Sequence, residues 1–193
     1  LTRTLMNAAL FLHDHPVHFY QLHALDFVDI VSALSADPKK ASDEAFKYCS
    51  TPYACGADQL KAVQDKVAAF VKKGALGPFA NAYWGHSTYH FTPEQNLIAL
   101  SHYLECLKVQ RIAAQMMAVF GGKQPHPQSL TVGGVTCVMD LKSPARLGEY
   151  MVKFEEVADF INRAYYPDLV MAGKAYANEV SVLNDVGVPN LFT

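Results

Sequence analysis

The fold of this chain is decided by one long segment, TPEQNLIALSHYLECLKVQRIAAQMMAVFGG, which spans residues 92–122. Thr92 is a good N-cap, Pro93 suits the first helical turn, and Gln95 stands where a capping box places Glu or Gln. An apolar pattern then runs over residues 97–120 and stops at a glycine pair. A helix of this length usually crosses a whole domain, so the segment predicts the central helix of a bundle.

Two further helices are predicted on the N-terminal side of this segment. Residues 5–34 are helix-like, but Pro16 removes one backbone donor and should kink or break the helix near Leu12. Asp37-Pro38 then ends the element. Residues 60–73 have one apolar face, and Gly74 can supply the left-handed residue that closes the helix.

On the C-terminal side, residues 129–139 are rich in β-branched residues and are divided by a glycine pair, which predicts a short hairpin or bent strand. Ser143-Pro144 opens a fourth helix, which continues to about Tyr166, before Pro167. A further turn or two follows toward Asn178. The predicted fold class is mainly α, a long-helix bundle with a small β element, and residues 1–193 are predicted to form a single domain.

The composition indicates a core-rich protein that covers part of its surface with a partner. Hydrophobic residues make up 51% of the chain and charged residues only 18%. The net charge of −2, without a basic cluster, argues against nucleic acid as a partner. No stretch is long and apolar enough to span a bilayer, and the first residues lack a signal-peptide pattern. Because the chain begins at Leu1, we expect a processed or truncated start.

The segment HDHPVHFYQLHALD, residues 13–26, holds four histidines within eleven residues. One hypothesis is an independent metal enzyme that uses His13, His15 and His18. The spacing argues against it, because His15 and His18 can share a helix face with Leu22, but H-E-x-x-H is absent and no third ligand joins these two histidines. The favoured interpretation is that the histidines form hydrogen bonds across a packed interior.

Asp14 lies between Leu12 and Val17 in a run that looks buried, where a carboxylate is costly unless it is paired or hydrogen-bonded. Two interpretations remain open. Asp14 caps backbone donors freed by Pro16, which spacing alone favours, or it pairs with a cation from elsewhere in the protein.

Three other features carry weaker signals. Residues 83–90 interleave aromatic residues with histidine, which could line a ligand site but more often closes the end of a bundle. Residues 121–128, GGKQPHPQ, lack the order of a phosphate loop and are better interpreted as a rigid loop facing a partner. None of the four cysteines forms C-x-x-C. Cys49 and Cys55 are close enough in sequence to bridge, but single buried thiols are favoured.

Three stretches, in this order, resemble the large subunit of [NiFe] hydrogenases: residues 17–26, residues 84–86 and residues 125–136. The resemblance is greatest to the periplasmic enzymes of the sulfate-reducer type. It implies a long-helix bundle around a buried active site and a periplasmic location. It also implies reversible cleavage of H2 at a nickel–iron centre with cyanide and carbonyl ligands. Electrons would leave through iron–sulfur clusters of a small partner subunit.

The sequence departs from the family pattern at the metal ligands. An N-terminal Arg-x-Cys-Gly-x-Cys motif and a C-terminal Asp-Pro-Cys-x-x-Cys motif supply the family's soft, bridging thiolates, and neither occurs here. We therefore expect a central fragment that is inactive alone, holds no metal itself and needs the remaining segments of the large subunit. The alternative hypothesis is a non-catalytic helical interaction module related to that subunit.

The resemblance also assigns roles to four residues. Asp14 aligns with the carboxylate above the nickel–iron site, beside an arginine that lies outside this chain, which reverses the preference for a cap. His15 aligns with a histidine beside the metal-binding cysteines, where it could donate a hydrogen bond to a thiolate. Leu22 aligns with an apolar residue of the gas tunnel, and His126 is expected to face the small subunit.

Overall fold

The fold is mainly α with a small hairpin, as predicted from the sequence. A computed structural model of the protein describes residues 1–79, 89–137 and 145–178. Within these ranges the α-helices are α1 (Thr2–Val17), α2 (Pro38–Ala45), α3 (Ala57–Lys72), α4 (Pro93–Gly121), α5 (Ala145–Phe160) and α6 (Tyr166–Ala175). The same ranges contain the π-helical segments π1 (His18–His23) and π2 (Ile161–Tyr165), and short 3-10 turns at Ala24–Asp26, Ser32–Ser35 and Gly77–Phe79. That all 193 residues form one domain stays a prediction.

The central position of α4 is confirmed, because α1, α2, α3 and α5 all pack against it. Its start matches the sequence prediction: Oγ1 of Thr92 accepts a hydrogen bond from the Gln95 amide at 3.2 Å, and Oε1 of Gln95 accepts one from the Thr92 amide at 3.0 Å. Gly122 follows the helix with a φ of 83°, in the left-handed region that glycine adopts without strain. Residues 96–102 are all buried, as expected for a helix surrounded by others.

Three apolar clusters follow one another along α4. The first packs the N-terminal half of α4 against α3 and residues 24–45. The second joins π1, the middle of α4 and the junction of α5 with π2. The third joins α1, the end of α4 and α5, and its fully or almost fully buried residues are Met6, Ala9, Met116, Met117, Phe120 and Tyr150. Because the second cluster contains Tyr20, π1 is attached to the core at the centre of the bundle.

Of the predicted kink or break of the first helix near Leu12, the break is wrong and the kink stays a prediction. Helix α1 includes Pro16 and ends only at Val17, where the chain continues as π1. The amide of His18 donates to the carbonyl oxygens of both Asp14 and His15, so the hydrogen-bond ladder changes register just after the proline. The helical path also ends earlier than the predicted residue 34, since the turn at Ala24–Asp26 closes it.

Residues 27–45 take a course that the sequence did not predict. Asp37-Pro38 begins a helix instead of ending one, because Oδ1 of Asp37 accepts from the Lys39 amide at 2.9 Å and Pro38 occupies the first turn of α2. The preceding 3-10 turn is held by Gln64 of α3. Nε2 of Gln64 donates to the carbonyl oxygens of Ala33, Leu34 and Ala36 at 3.1, 3.2 and 2.8 Å.

The predictions for the remaining elements are confirmed in part. Helix α3 ends as expected, with Gly74 at a φ of 62°. Strands β1 (Leu130–Thr131) and β2 (Gly134–Val135) pair antiparallel, with Leu130 opposite Val135, as predicted for a short hairpin. The predicted start at Ser143-Pro144 lies outside the described residues. Pro167 does not end the helical path, because π2 leads directly into α6, whose second residue is Pro167.

Candidate functional site

One side of α1 and π1 carries three of the four residues that the sequence singled out. Asp14, His15 and Leu22 are exposed, and 63% of the Leu22 surface is open. Phe11 and His18 are exposed as well, and steps of three or four residues place Phe11, Asp14, His18 and Leu22 on one side of the helical path. Phe11 and Leu22 add two large apolar side chains to the polar ones exposed on this side. We call this set, Phe11, Asp14, His15, His18 and Leu22, the α1–π1 face.

The expectation that Asp14 is buried is wrong. The buried residues of α1 are Thr2, Met6, Ala9 and Pro16, and the Asp14 side chain points away from them with 58% of its surface exposed. Its Oδ1 accepts a hydrogen bond from Nδ1 of His13 at 2.8 Å. No backbone amide among the described residues donates to this carboxylate, so the capping interpretation does not hold either.

The sequence analysis predicted that the histidines of residues 13–23 form hydrogen bonds across a packed interior. This prediction is wrong. His15, His18 and His23 are exposed. Nε2 of His18 lies 3.1 Å from Nε2 of His23, and Nδ1 of His23 lies 3.4 Å from Oδ2 of Asp26. Because Oδ2 of Asp26 accepts a hydrogen bond from Nδ1–H of His23, Nε2 of His23 is the acceptor for Nε2–H of His18. These side chains therefore form a short surface chain of hydrogen bonds.

His126 lies far along the sequence, in the exposed loop that follows α4. Its φ of 61° is in the left-handed region, which is uncommon for a residue with a Cβ atom. The loop is fixed at its two ends, where the Gln128 amide donates to the Gly121 carbonyl oxygen at 2.8 Å and the Thr136 amide donates to the Ser129 carbonyl oxygen at 2.8 Å. His126 is therefore presented on a held, solvent-facing loop, and its contact with a partner subunit stays a prediction.

The most buried polar cluster in the described chain was not predicted. Oδ2 of Asp168 accepts two hydrogen bonds, from the Tyr20 hydroxyl at 2.6 Å and from Nδ1 of His102 at 2.8 Å. Nε2 of His102 lies 2.7 Å from the carbonyl oxygen of Tyr53 and 3.2 Å from Sγ of Cys55. The exposed fractions of Tyr20, His102 and Asp168 are 1%, 2% and 3%. We call Tyr20, His102 and Asp168 the buried triad.

His102 of this triad carries a positive charge. Its two ring nitrogens face a carboxylate and a carbonyl oxygen, which only accept, so both nitrogens must be protonated for both bonds to form. Burial alone would lower the pKa of His102, but the charge and hydrogen bond of Asp168, helped by Cys55, raise it well above its ordinary value. Burial, the Asp168 charge and the bond to Asp168 also raise the pKa of Tyr20, which therefore stays a hydroxyl donor. The signal in the sequence was an aspartate inside the apolar run YYPDLVM, residues 165–171.

Comparison with known proteins places the chain in a family. A family model described as nickel-dependent hydrogenase matches residues 1–193. The chain belongs to the nickel-dependent hydrogenase family. The resemblance found in the three sequence stretches is thereby confirmed at the level of the family.

Individual members of the family agree with this assignment. This hydrogenase-family chain is 63% identical over 193 residues to the quinone-reactive Ni/Fe-hydrogenase large chain of Wolinella succinogenes. The match covers 100% of this chain and 34% of the Wolinella protein. It is 43% identical over 195 residues to the hydrogenase-2 large chain of Escherichia coli K12, and this match covers 93% of the chain and 34% of the Escherichia coli protein. The chain thus spans about a third of the length of the curated relatives that it matches.

A solved structure supports the fold of this hydrogenase-family chain. The Ni-Fe-Se hydrogenase from D. vulgaris Hildenborough in the reduced state matches with a TM-score of 0.61 and 26% identity, over 93% of this chain and 27% of that chain. The helical bundle described above is therefore similar to part of a hydrogenase structure.

The residues described here do not fit a nickel–iron centre as its ligands. Within residues 1–79, 89–137 and 145–178, no three histidine, cysteine or acidic side chains are grouped to hold a metal ion. All four cysteines are free thiols and lie apart, and Cys55 contacts His102. Burial raises the pKa of the Cys106 thiol to about 12. In the same ranges, no helix has both the length and the apolar character to cross a membrane.

Proposed function

We propose that this chain is the central part of the catalytic subunit of a [NiFe] hydrogenase, an oxidoreductase that converts H2 reversibly into protons and electrons. The observation that carries the proposal is the match over all 193 residues, both to the family and to the Wolinella large chain at 63% identity.

The proposal divides the work between this chain and segments outside residues 1–193. The nickel–iron centre, with cyanide and carbonyl ligands, would be held by thiolates supplied by those segments, since the cysteines here do not form a ligand group. A small iron–sulfur subunit is the expected electron-accepting partner, and the periplasm the expected compartment. Phe11 and Leu22 are exposed here and are available for contact with the remaining subunit.

In this proposal the α1–π1 face supplies side chains that surround the nickel–iron centre, and none of them is a metal ligand. Asp14 offers a carboxylate that, among the described residues, contacts His13, so it can pair with a cation from the covering segment. His15 offers an exposed ring N–H donor, and Leu22 an exposed apolar side chain for the gas path. His126, on its held loop, is proposed to contact the small subunit.

The test is Asp14→Ala in the complete hydrogenase, with turnover and nickel content both measured. We expect turnover in H2 oxidation to fall roughly 10- to 100-fold, because a charge beside the reacting centre is lost, while nickel content is unchanged because no ligand is lost. Asp43→Ala is the matched control, since Asp43 is an exposed aspartate on α2, away from the α1–π1 face.

Wild-type turnover in the Asp14 variant would contradict the role of Asp14. A complete wild-type protein that contains no nickel and turns over no H2 would instead support the alternative function, a non-catalytic helical interaction module related to the large subunit.

A further inference from the structure

The buried triad is a property of the complete protein as well as of this chain. Its members are 1–3% exposed here. Additional chain segments can only bury more of the surface, so these residues stay buried when such segments are added. The α1–π1 face, by contrast, changes its surroundings when the remaining subunit covers it. The hydrogen bonds of the triad are therefore expected to be the same in the assembled enzyme, whatever segments of the large subunit cover the α1–π1 face.

The triad connects four parts of the chain that are remote in sequence. Tyr20 belongs to π1, His102 to α4 and Asp168 to the first turn of α6, and His102 also reaches the carbonyl oxygen of Tyr53 before α3. Asp168 lies at the centre, since one oxygen, Oδ2, accepts from both Tyr20 and His102. Two donors, the Tyr20 hydroxyl and Nδ1–H of the charged His102, therefore meet at one carboxylate oxygen, and hydrogen bonds between charged groups are stronger than neutral ones.

Tyr20 is the anchor of π1. It is the one buried residue of this fully described segment, whereas His18, Leu22 and His23 are exposed. A π-helical turn holds one residue more than an α-helical turn, so the choice of the inward residue decides which neighbours face outward. The first amide of π1 also donates to the carbonyl oxygens of Asp14 and His15, which ties the backbone of these two residues to the same turn.

We propose that the buried triad positions the α1–π1 face: Asp168, held by His102, takes the hydroxyl of Tyr20 and so fixes which residues of π1 face the site. Tyr20, His102 and Asp168 are positioning residues, because they are buried away from the exposed face and act through the backbone of π1. The inference deepens the proposed function, since it rests on Asp14, His15 and Leu22 being the residues that face the reacting centre.

The test uses hydrogen exchange in the complete hydrogenase, followed by mass spectrometry of peptides. Tyr20→Phe removes one hydroxyl and keeps the ring, which packs 5.8 Å from the ring of Phe160. Tyr165→Phe is the matched control: its ring is in the same aromatic cluster, 6.2 Å from that of Tyr20, and its hydroxyl has no hydrogen bond among the described residues. Asp168→Asn removes the shared charge and serves as a second variant.

We expect the amides of residues 18–26 to exchange roughly 10- to 100-fold faster in Tyr20→Phe, as expected for loss of a hydrogen bond to a charged acceptor. Peptides of α3 should be unchanged, and Tyr165→Phe should match the wild type throughout. Turnover of H2 should fall in Tyr20→Phe at unchanged nickel content, and it should be retained in Tyr165→Phe.

Unchanged exchange at residues 18–26 in both Tyr20→Phe and Asp168→Asn would overturn the inference. An equal increase over α3 and residues 18–26 would also overturn it, since that pattern means general destabilisation. Failure of the proposed function is recognised separately: local exchange would rise in Tyr20→Phe, while the Asp14→Ala variant would keep wild-type turnover.

Discussion

Nδ1 of His102 lies 2.8 Å from Oδ2 of Asp168, and the side chains of both residues are at least 96% buried. The pair is an imidazolium and a carboxylate, because the second ring nitrogen of His102 also donates, to the carbonyl oxygen of Tyr53. A buried ion pair adds little net stability in itself, but removal of one partner leaves an uncompensated charge in the core. The pair therefore makes the stability of the protein depend on pH.

Asp168→Asn should destabilise the complete protein most at low pH. In the wild type the pKa of folded His102 lies well above the unfolded value of 6.5, so the pair stabilises fully below pH 6.5 and less as the pH rises through the folded pKa. In the variant, burial remains and lowers the folded pKa, so stability is lost as the pH falls. The difference between the thermal midpoints of wild type and variant, measured from about pH 5 to pH 9, should shrink as the pH rises.

The control for this titration is Asp65→Asn. Asp65 is 62% exposed in its ion pair with Lys61, so it should give a small difference with little dependence on pH over the same range. A difference between wild type and Asp168→Asn that stays constant, or grows toward high pH, would mean that His102 is not charged in the folded protein.

The elements that the sequence predicted correctly are those with local end signals. Thr92 and Gln95 mark the start of α4, and Gly74 marks the end of α3, through bonds or dihedral angles set within a few residues. Two of the errors occurred at Pro16 and Pro167. Each lies two residues from a π-helical segment, and the expectation that proline ends a helix assumes an unbroken ladder of bonds four residues apart.

For the candidate site as well, the sequence predicted what depends on nearby residues and missed what depends on contacts between distant ones. The composition of residues 13–26 drew attention to the correct surface segment, but it could not tell which face of α1 is inward, so Asp14 was placed in the core. The buried aspartate is Asp168, which is 148 residues from Tyr20 and 66 from His102. No pattern within one element connects these three side chains, so only the packing of π1, α4 and α6 could identify them.

Gln64→Leu should lower the free energy of unfolding by about 1–3 kcal/mol, because three carbonyl oxygens of the turn before α2 lose their donor. Urea unfolding of the complete protein measures the change. Gln115→Leu is the control, since Gln115 is exposed and its contact is with Lys153 at the surface, so the change should stay within about 0.5 kcal/mol. Equal effects of the two substitutions would show that Gln64 does not hold the turn.

Phe160→Ala should cost about 3–5 kcal/mol of stability, because the Phe160 side chain is fully buried where α5 meets π2. Its ring packs against Tyr20 and Tyr53, at centroid distances of 5.8 and 5.3 Å. Phe46→Ala is the matched control, since Phe46 is 57% exposed and should cost much less. Thermal unfolding of both variants measures the contrast, and similar midpoints would place Phe160 outside the core.

Thr92→Ala should cost about 1 kcal/mol, because the amide of Gln95 loses its acceptor at the start of α4. Thr92→Ser keeps that oxygen and should retain wild-type stability. Thr4→Ala is the control, since Thr4 is exposed inside α1 and alanine favours helix there. The free energies of unfolding in urea are measured for all the variants. If Thr92→Ala and Thr92→Ser lost the same stability, the effect would come from the methyl group of Thr92. Because α4 contacts α1, α2, α3 and α5, a loss confined to Thr92→Ala would show that one hydroxyl oxygen contributes to the stability of the whole bundle.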